Sequence, residues 1–375
     1  MSGLHFRSGC RALHEALRIL FAVAPTSDGE LPVLRNILFK TDKKGKLRAT
    51  AFDLSVGAHA DLDCVEVLNP GKAMISSYAL EESLKELTGE SLEFLFEDNY
   101  HCTMTTDNSK FVIPCQTPED YPRVPRVKDT QSIELPGKIL KRMIHGTHYA
   151  AHKDRGKWAI NGVLVDVRPD SIRLVATDTK RLALCQWDVE TGMTMKAIIP
   201  TKAMEIFSKS IDVASKASIE VAKNMVRLST SRTTLFARSV IGEFPPYEKV
   251  IPRTPPRKLR FIRGTVVGGL RQSLMLGKGK QEVQVGLALT NNQLRIYRRS
   301  LESGNSDVIL DVKYADDDMI LGCNAAFLLE AIRMLEKPKT RILFTDSEKP
   351  MLMRERNEDG LKMTHLVMPM KIVPD

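Results

Sequence analysis

The segment AINGVLVDVRPDSIRLVAT, residues 159–177, decides how this chain folds. It contains two runs of alternating apolar residues, Ala159–Arg168 and Ser171–Thr177. Because successive side chains of a strand point to opposite faces, such alternation is typical of strands that bury one face. The segment therefore predicts an antiparallel strand pair.

The elements around this pair occur in the same order three times, at a spacing of roughly 125 residues, which indicates an internal repeat. Each repeat has an amphipathic helix, a strand pair, a second helix and further strands. The predicted first helices are Arg7–Phe21, Gly137–Ala150 and Gly264–Leu276, and the second helices are Ser77–Thr88, Thr201–Ser210 and Cys323–Lys337. The other strand pairs are 33–41 with 47–53 and 283–289 with 293–297, and the later strands are Leu92–Phe96, Ile219–Ala222 and Arg341–Thr345.

Two proline-rich segments, Asp120–Pro125 and Phe244–Pro252, separate the repeats. Since proline fixes φ and lacks the N–H donor that a sheet needs, these segments are expected to be linkers. We therefore predict three similar domains, residues 1–126, 127–253 and 254–375. The predicted class is α+β, with two helices covering one face of an antiparallel sheet in each domain.

The composition is that of a soluble globular protein, since 43% of the 375 residues are apolar and 27% are charged. No run of residues approaches the roughly 18 apolar residues of a membrane span. The six cysteines lie far apart and form no CxxC pair, which indicates reduced thiols in a cytoplasm.

Basic residues exceed acidic residues by 55 to 46, which gives a net charge of +9 and favours a polyanionic partner. Thirteen basic and seven acidic side chains lie in the segments that contain the six predicted helices, although these segments make up less than a quarter of the chain; they are 5–21, 77–88, 136–150, 201–210, 263–276 and 323–337. Contacts from these helices to phosphates would not read bases and would weaken with salt.

Motifs that would indicate an enzyme or a metal site are missing from the sequence. Gly277-Lys278-Gly279-Lys280 lacks the spacing and the Ser or Thr of a P-loop, and no HExxH or paired-cysteine zinc pattern occurs. His145, His148 and His152 fall at helical spacing, but no carboxylate or cysteine is fixed beside them. We therefore expect no catalytic residue, cofactor or metal.

Three stretches carry a more specific signal. They are Leu31–Leu38 (LPVLRNIL), Ile160–Leu164 (INGVL) continuing at Val175–Leu182 (VATDTKRL), and Val367–Ile372 (VMPMKI). In order and spacing, along essentially the whole chain, they resemble the bacterial DNA polymerase III beta subunit, the beta sliding clamp family. The resemblance implies the DNA clamp fold, in which two chains associate head to tail in a six-domain ring.

Such a ring would encircle duplex DNA and confer processivity on the replicative polymerase. It would hydrolyse nothing, since the family relies on a separate ATP-driven loader. The implied partners are double-stranded DNA, a second copy of the chain, and the clamp loader and polymerases, which bind through short peptide motifs. The implied location is the bacterial cytoplasm beside the nucleoid, and no membrane is involved. The side chains expected to face the DNA are Arg7, Arg11, Lys138, Lys141, Arg142, Lys153, Lys202, Lys209, Arg263 and Arg271.

The resemblance also implies a hydrophobic pocket between domains 2 and 3, in which Gln-x-Leu-Phe-like motifs dock. Aliphatic walls would bury a Leu or Phe side chain, and methionine adapts to different anchors. From the residues alone, such an aliphatic cluster would be interpreted as core. The matching positions are Ile160, Thr177, Thr179, Lys180, Arg181, Leu182, Pro245, Val250, Pro350, Leu366, Val367, Met368, Pro369 and Met370.

For ring closure the resemblance points to Phe111 in domain 1 and to Leu274 and Leu276 in domain 3. Head-to-tail association requires two different surfaces to match, which excludes an isologous patch. Without the resemblance, Phe111 is equally well explained as an ordinary core aromatic.

The chain departs from the family pattern at the pocket. Thr179-Lys180 stands where the family usually has Gly-His, and Pro350 stands where a small polar residue is usual. These differences favour, as an alternative, a divergent clamp paralogue with different clients. A nucleic-acid-modifying enzyme that uses the basic helices is a further alternative, and the missing catalytic motifs argue against it.

Overall fold

The structure is a computed structural model that divides into two compact units. Unit 1 comprises Met1–Lys141 and Lys202–Ser239, and unit 2 comprises Arg142–Thr201 and Val240–Asp375. The predicted DNA contact Lys153 lies outside the described residues. The structure describes residues 3–25, 31–87, 90–97, 99–125, 127, 130–152, 159–277, 283–300 and 304–372.

The strands are short and occur throughout the chain. In chain order they are β1 (His5–Ser8), β2 (Asn36–Thr41), β3 (Leu47–Phe52), β4 (Val56–Asp61), β5 (Val65–Asn69), β6 (Lys72–Ser76), β7 (Leu92–Glu97), β8 (His101–Thr105), β9 (Lys110–Pro114), β10 (Gln131–Pro136), β11 (Gly162–Arg168), β12 (Ser171–Thr177), β13 (Arg181–Asp188), β14 (Met195–Pro200), β15 (Lys216–Val221), β16 (Met225–Ser229), β17 (Thr233–Arg238), β18 (Arg257–Ile262), β19 (Gln284–Thr290), β20 (Gln293–Arg298), β21 (Ser306–Asp311), β22 (Met319–Asn324), β23 (Lys339–Phe344), β24 (Met351–Arg356) and β25 (Lys362–Val367).

Within the described residues, six α-helices accompany these strands. They are α1 (Cys10–Val23), α2 (Ser77–Glu86), α3 (Gly137–His145), α4 (Thr201–Ser210), α5 (Arg263–Leu274) and α6 (Ala325–Met334).

Unit 1 is built on a five-stranded sheet, in the order β5-β1-β7-β8-β9, and an eight-stranded sheet, in the order β10-β15-β16-β17-β4-β3-β2-β6. Helix α1 packs on β3, β4 and α2. It buries Leu13, Leu17 and Leu20, which recur at the helical spacing that forms one apolar face. Helix α2 begins where the Ser76 side chain accepts a hydrogen bond from Ala79 N, a standard N-cap.

Unit 2 is built on an eight-stranded sheet, in the order β14-β11-β12-β13-β25-β24-β23-β18, and a four-stranded sheet, in the order β21-β20-β19-β22. Helix α5 packs on β20 and β21, and helix α6 packs on β22, β25 and α5. The main core of the unit includes Leu270, Ile296, Leu328 and Phe344, each at most 1% exposed. Strand β13, from the second predicted domain, and strand β25, from the third, are therefore neighbours in one sheet.

The threefold repeat is confirmed by the order of the elements. Strands β1, β10 and β18 each lead directly into a helix and begin at residues 5, 131 and 257. Strands β6, β14 and β22 likewise lead into α2, α4 and α6. A tight turn with a positive φ also occurs at the same place in the first two repeats, at Leu54 (71°) between β3 and β4 and at Thr179 (74°) between β12 and β13. The predicted class, helices packed on antiparallel sheets, is confirmed.

Several predicted boundaries were wrong. Arg7 does not lie on the first helix but on β1, where it pairs with Glu93 of β7 and its backbone belongs to the sheet. Helix α3 ends at His145, and a separate 3-10 turn follows at His148–Ala150. Residues 32–35 form a 3-10 turn, so the next strand begins at Asn36. These ends depend on pairing partners that lie far away in the sequence.

Candidate functional site

The predicted pocket residues come together along two neighbouring strands of unit 2. In the pairing of β13 with β25, Arg181 lies opposite Val367 and Leu182 lies opposite Leu366. Just past β25, the backbone N–H of Met368 donates to Lys180 O at 2.9 Å. The sheet thereby joins residues that are far apart in sequence into one surface, which we call the β13–β25 surface.

The floor of the β13–β25 surface is apolar and closed to solvent. Leu182 and Leu366 belong to a buried cluster with Leu164, Val175 and Ile198, and Tyr247 from the linker completes it. Of the predicted pocket residues, the ones that are less than one-tenth exposed are Ile160, Thr177, Arg181, Leu182, Leu366 and Val367.

The rim of the β13–β25 surface is more open. Val250 is 49% exposed and Met368 is 37% exposed, so both apolar side chains reach the surface. The other exposed members are Thr179, Lys180 and Pro245, and the half-buried members are Pro350, Pro369 and Met370. An apolar floor under a half-open apolar rim suits an apolar side chain of an incoming peptide.

The turn between β12 and β13 forms one edge of this rim. Asp178 Oδ1 accepts from the backbone N–H groups of Lys180 and Arg181, at 3.0 and 2.9 Å. Thr177 Oγ1 donates to Arg181 O at 2.6 Å and accepts from Thr179 N at 3.1 Å. These bonds hold Thr179 in the left-handed region, where a β-branched residue is rare. Glycine, usual at this position in the family that the sequence resembles, adopts that conformation without strain.

Arg181 was predicted to line the pocket, but its side chain is only 5% exposed. Its guanidinium donates to Asp178 Oδ2 at 2.9 Å and to Tyr149 O at 2.8 Å, and it forms an ion pair with Glu330 of α6. It also lies over the Phe327 ring, 4.2 Å from the centroid. Arg181 therefore ties the turn to α6, and its side chain is almost entirely closed to solvent.

A buried histidine lies beneath the same region. Tyr149 Oη is 2.9 Å from His365 Nδ1, and His365 is fully buried. Removal from water disfavours the charged imidazolium and lowers the pKa of His365 to about 4. His365 is therefore a neutral hydrogen-bonding group at neutral pH.

A polar latch attaches the second linker to the sheet of unit 2. Tyr247 Oη donates to Asp166 Oδ2 at 2.9 Å, and Arg168 donates to the same oxygen at 2.8 Å. Burial opposes ionisation of Asp166, but the hydrogen bonds from Arg168 and Tyr247 outweigh it and lower the pKa of the carboxyl. The latch holds the linker that carries Pro245 and Val250.

Some of the predicted DNA contacts are engaged within the chain. Arg142 is 21% exposed, and its guanidinium forms ion pairs with Glu336 and Asp359. Lys141 Nζ donates to Ile211 O at 3.2 Å.

The remaining predicted DNA contacts are mostly at the surface. The Arg11 side chain is 94% exposed. Lys202 and Lys209 are exposed but form ion pairs, with Asp53 at 2.5 Å and Glu205 at 2.9 Å, and Arg7 is 3.4 Å from Glu93. Among the described residues, no ion pair is formed by Lys138 or Arg271, both exposed, or by Arg263, half-buried.

The predicted contacts for ring closure have different environments. Phe111 is 46% exposed on β9, which is an edge strand of its sheet. Leu276 is 45% exposed, whereas Leu274 packs against the core of unit 2. Ile309, which was not among the predicted contacts, is 63% exposed on the edge strand β21. Its place in a strand of alternating exposed and half-buried residues was the signal that could have found it.

A cavity lies elsewhere, in unit 1. It has a volume of about 1080 Å³, and residues of α1 and the end of α4 line it. Its lining includes acidic residues (Glu15, Asp61, Asp212) and basic residues (Arg18, Lys209). None of the residues predicted for the peptide pocket lines it.

The histidines at helical spacing form no metal site in the described ranges. The rings of His145 and His148 are 6.2 Å apart, and His148 Nδ1 lies 2.9 Å from Ile144 O. Across those ranges, no three His, Cys, Asp or Glu side chains are grouped closely enough to hold a metal ion. Of the helices in the described part of the chain, none is both long and apolar enough to cross a membrane.

Comparison with known families gives matches along most of the chain. The N-terminal domain of the DNA polymerase III beta subunit matches residues 21–125, the central domain matches residues 134–246, and the C-terminal domain matches residues 248–371.

Curated relatives match over nearly the full length. The beta sliding clamp of Pseudomonas putida is 25% identical over 372 residues, which cover 98% of this chain and 100% of the relative. The beta sliding clamp of Escherichia coli K12 is 24% identical over 346 residues, which cover 91% of this chain and 93% of the relative.

Solved structures have the same fold. The sliding clamp of Pseudomonas aeruginosa bound to griselimycin superposes with a TM-score of 0.87 at 24% identity, covering 99% of this chain and 100% of that chain. The beta subunit of Thermotoga maritima superposes with a TM-score of 0.88 at 22% identity and the same coverage. The three-domain clamp fold expected from the sequence is confirmed.

Proposed function

This chain belongs to the DNA polymerase III beta subunit family, and on that premise we propose that it is a DNA sliding clamp. It encircles duplex DNA as a head-to-tail homodimer, confers processivity on a replicative polymerase, and recruits partners at the β13–β25 surface. Its domains are residues 1–126, 127–253 and 254–375. The observation that carries the proposal is that surface, where a buried apolar floor meets an open apolar rim.

Ring closure is supported by two edge strands that present apolar side chains. Strand β9 exposes Phe111 and Val112, and strand β21 exposes Ile309. The edge of a sheet offers unpaired backbone groups that a strand of another chain can extend. The two edges differ, as head-to-tail closure requires. Lys110 on β9 and Asp311 on β21 supply opposite charges.

Durable attachment to DNA follows from the closed ring rather than from tight local contacts. Exposed basic side chains such as Arg11, Lys138 and Arg271 provide weak contacts to phosphates that any sequence offers. Sliding exchanges one phosphate for an equivalent one, whereas release requires one of the interfaces to open. Arg11 lies in the first domain, Lys138 in the second and Arg271 in the third.

The β13–β25 surface is the proposed docking site for short peptides of the clamp loader and of polymerases. The apolar anchor of the peptide is buried against Leu182 and Leu366, and Val250 and Met368 close over it. As a clamp, the chain needs no catalytic residue and no cofactor of its own, and it acts in the cytoplasm beside the nucleoid.

The central experiment compares retention on circular and linear DNA after loading by an ATP-driven loader. We expect the chain to stay on closed circles at high salt and to leave linear duplex through its free ends. Equal retention on both substrates would indicate ordinary electrostatic binding and would overturn the clamp proposal.

A second experiment tests the docking site with a labelled Gln-x-Leu-Phe-type peptide. Met368→Ala should weaken binding about tenfold, because rim contacts of this size are worth about 1 to 2 kcal/mol. The matched control is Met275→Ala, which removes another exposed methionine (70% exposed) outside the β13–β25 surface. A chain that is retained on circles but does not bind the peptide would instead be a clamp paralogue with different clients.

A further inference from the structure

We propose that Gly322 is a positioning residue for the peptide pocket, because it determines where the C-terminal wall of the pocket lies. By C-terminal wall we mean residues 368–372, which follow β25. Gly322 lies on β22 and was not among the residues that the sequence indicated. This inference rests on the proposed docking function of the β13–β25 surface.

The C-terminal wall runs beside an edge strand. Strand β22 is the last strand of the four-stranded sheet, so one of its sides is open to another segment. The backbone N–H of Met370 donates to Gly322 O at 2.8 Å. The Gln284 side chain donates to Lys371 O. The wall is therefore held by two hydrogen bonds to the four-stranded sheet.

The approach of the two backbones leaves no room for a side chain at position 322. A Cβ atom there would lie 2.1 Å from Met370 O and 2.6 Å from Ile372 Cγ2. Contacts under 3.0 Å essentially never occur for a real Cβ atom. Gly322 does not have a positive φ, so the requirement for glycine comes from space and not from backbone conformation.

The nearer of the two clashing atoms belongs to the backbone, so a side-chain rotation cannot relieve the clash. At its start the wall is fixed as well, because Val367 is paired with Arg181 of β13 and with Met351 of β24. An alanine at 322 must therefore push the wall away at Met370 while Val367 stays in place. Met368 is also held, through its N–H, by Lys180 O, so the displacement falls on Pro369 and Met370, two residues predicted to line the pocket.

The test is the affinity for a labelled Gln-x-Leu-Phe-type peptide, measured by fluorescence anisotropy. For Gly322→Ala we expect Kd to rise about tenfold, the size of effect that loss of about one methylene contact has in an apolar pocket. Retention on circular DNA should be unchanged, because the C-terminal wall takes no part in the proposed ring interface. The midpoint of urea unfolding shows whether Gly322→Ala destabilises the whole fold, and we expect this midpoint to change little.

The matched control is Gly268→Ala on α5. A Cβ atom at Gly268 would meet nothing within 4 Å, and alanine is the better helix former. This variant should bind the peptide as the unmutated chain does. Gln284→Ala is a milder second variant, since it removes the other hydrogen bond to the wall without a clash. It should raise Kd by a few-fold.

A double-mutant cycle separates displacement of the wall from a general loss of structure. If Gly322→Ala acts by moving Met370, it should cost less affinity in a Met370→Ala background than alone. Equal peptide affinity for Gly322→Ala and the unmutated chain would overturn the positioning role. So would a loss of peptide affinity that is matched by a loss of DNA retention and of stability. Failure of the unmutated chain to bind the peptide would instead count against the proposed docking function.

Discussion

Arg181 Nε lies 2.9 Å from Asp178 Oδ2, and this ion pair closes the turn that carries Thr179 and Lys180. The guanidinium also pairs with Glu330 of α6, so a single buried cation connects the rim of the pocket with a helix of the third repeat. Asp178 is 13% exposed and Arg181 is 5% exposed, so solvent screens this pair only weakly.

Replacing Arg181 with Met should therefore lower the free energy of unfolding by about 3 kcal/mol, since the change leaves the largely buried Asp178 carboxylate without its partner. The measurement is urea unfolding at neutral pH. The matched control is Arg48→Met, which breaks the Arg48–Asp61 pair, where both side chains are about half exposed. That change should cost less than about 1 kcal/mol, and equal losses would show that burial of Arg181 is not what matters.

Thr179→Gly should raise stability by about 1 kcal/mol. Thr179 has a φ of 74°, a region that costs a β-branched residue free energy and glycine very little. As a control, Thr103→Gly on β8 has no such strain to relieve and should lower stability, because glycine weakens a strand. Thermal unfolding of both variants measures whether each change raises or lowers stability. A loss of stability for Thr179→Gly would show that the Thr179 side chain stabilises the fold by more than its strained backbone destabilises it.

Stability should fall as the pH drops from about 6.5 towards 4, in part because of His365. Burial lowers the pKa of His365 to about 4, whereas an unfolded histidine titrates near 6.5, so below that pH the unfolded chain binds the proton more strongly. The contribution is complete above pH 6.5 and is lost through that window. It amounts to at most about 3 kcal/mol at 1.36 kcal/mol per pH unit.

His365→Asn isolates this effect, because asparagine keeps an acceptor for Tyr149 Oη but does not titrate. The difference in urea midpoint between the unmutated chain and the His365→Asn variant should shrink as the pH is lowered from 7 to about 5. A constant difference across this range would mean that His365 is not the titrating group.

Ile309→Asp should convert the proposed dimer to monomers, because it replaces the exposed apolar side chain of the edge strand β21 with a charge. Sedimentation velocity is the direct measurement. Phe111→Asp should act in the same way if β9 is the opposing edge. Val213→Asp is the control, since Val213 is also more than half exposed but lies on neither edge. Dimers that persist in both edge variants would contradict the proposed closure.

Among the basic residues, Lys138 and Arg271 should contribute to the salt dependence of DNA binding, whereas Arg142 should not. Lys138→Gln and Arg271→Gln should each reduce the slope of log affinity against log salt by about 1, the value for one phosphate contact. Arg142→Gln should leave the slope unchanged, because its guanidinium is paired with Glu336 and Asp359. Binding to a short linear duplex at several salt concentrations measures the slope.

The sequence by itself determined the order of the elements, their threefold recurrence and their class. The alternating runs at 159–177 did become β11 and β12, because the period of apolar residues is a local property that each strand or helix carries within itself. The resemblance likewise indicated Leu182 and Leu366 as neighbours, and the pairing of β13 with β25 brings them together.

The tertiary structure alone decided which side chains are available and which are already engaged. Arg181 and Arg142 are indistinguishable in sequence from exposed arginines, and their burial depends on Glu330, Glu336 and other residues that are far away along the chain. In the same way, Gly322 is required only because Met370 passes within 2.1 Å of where a Cβ would be. Burial, pairing and close approach arise between distant segments, so they follow from packing and not from local pattern.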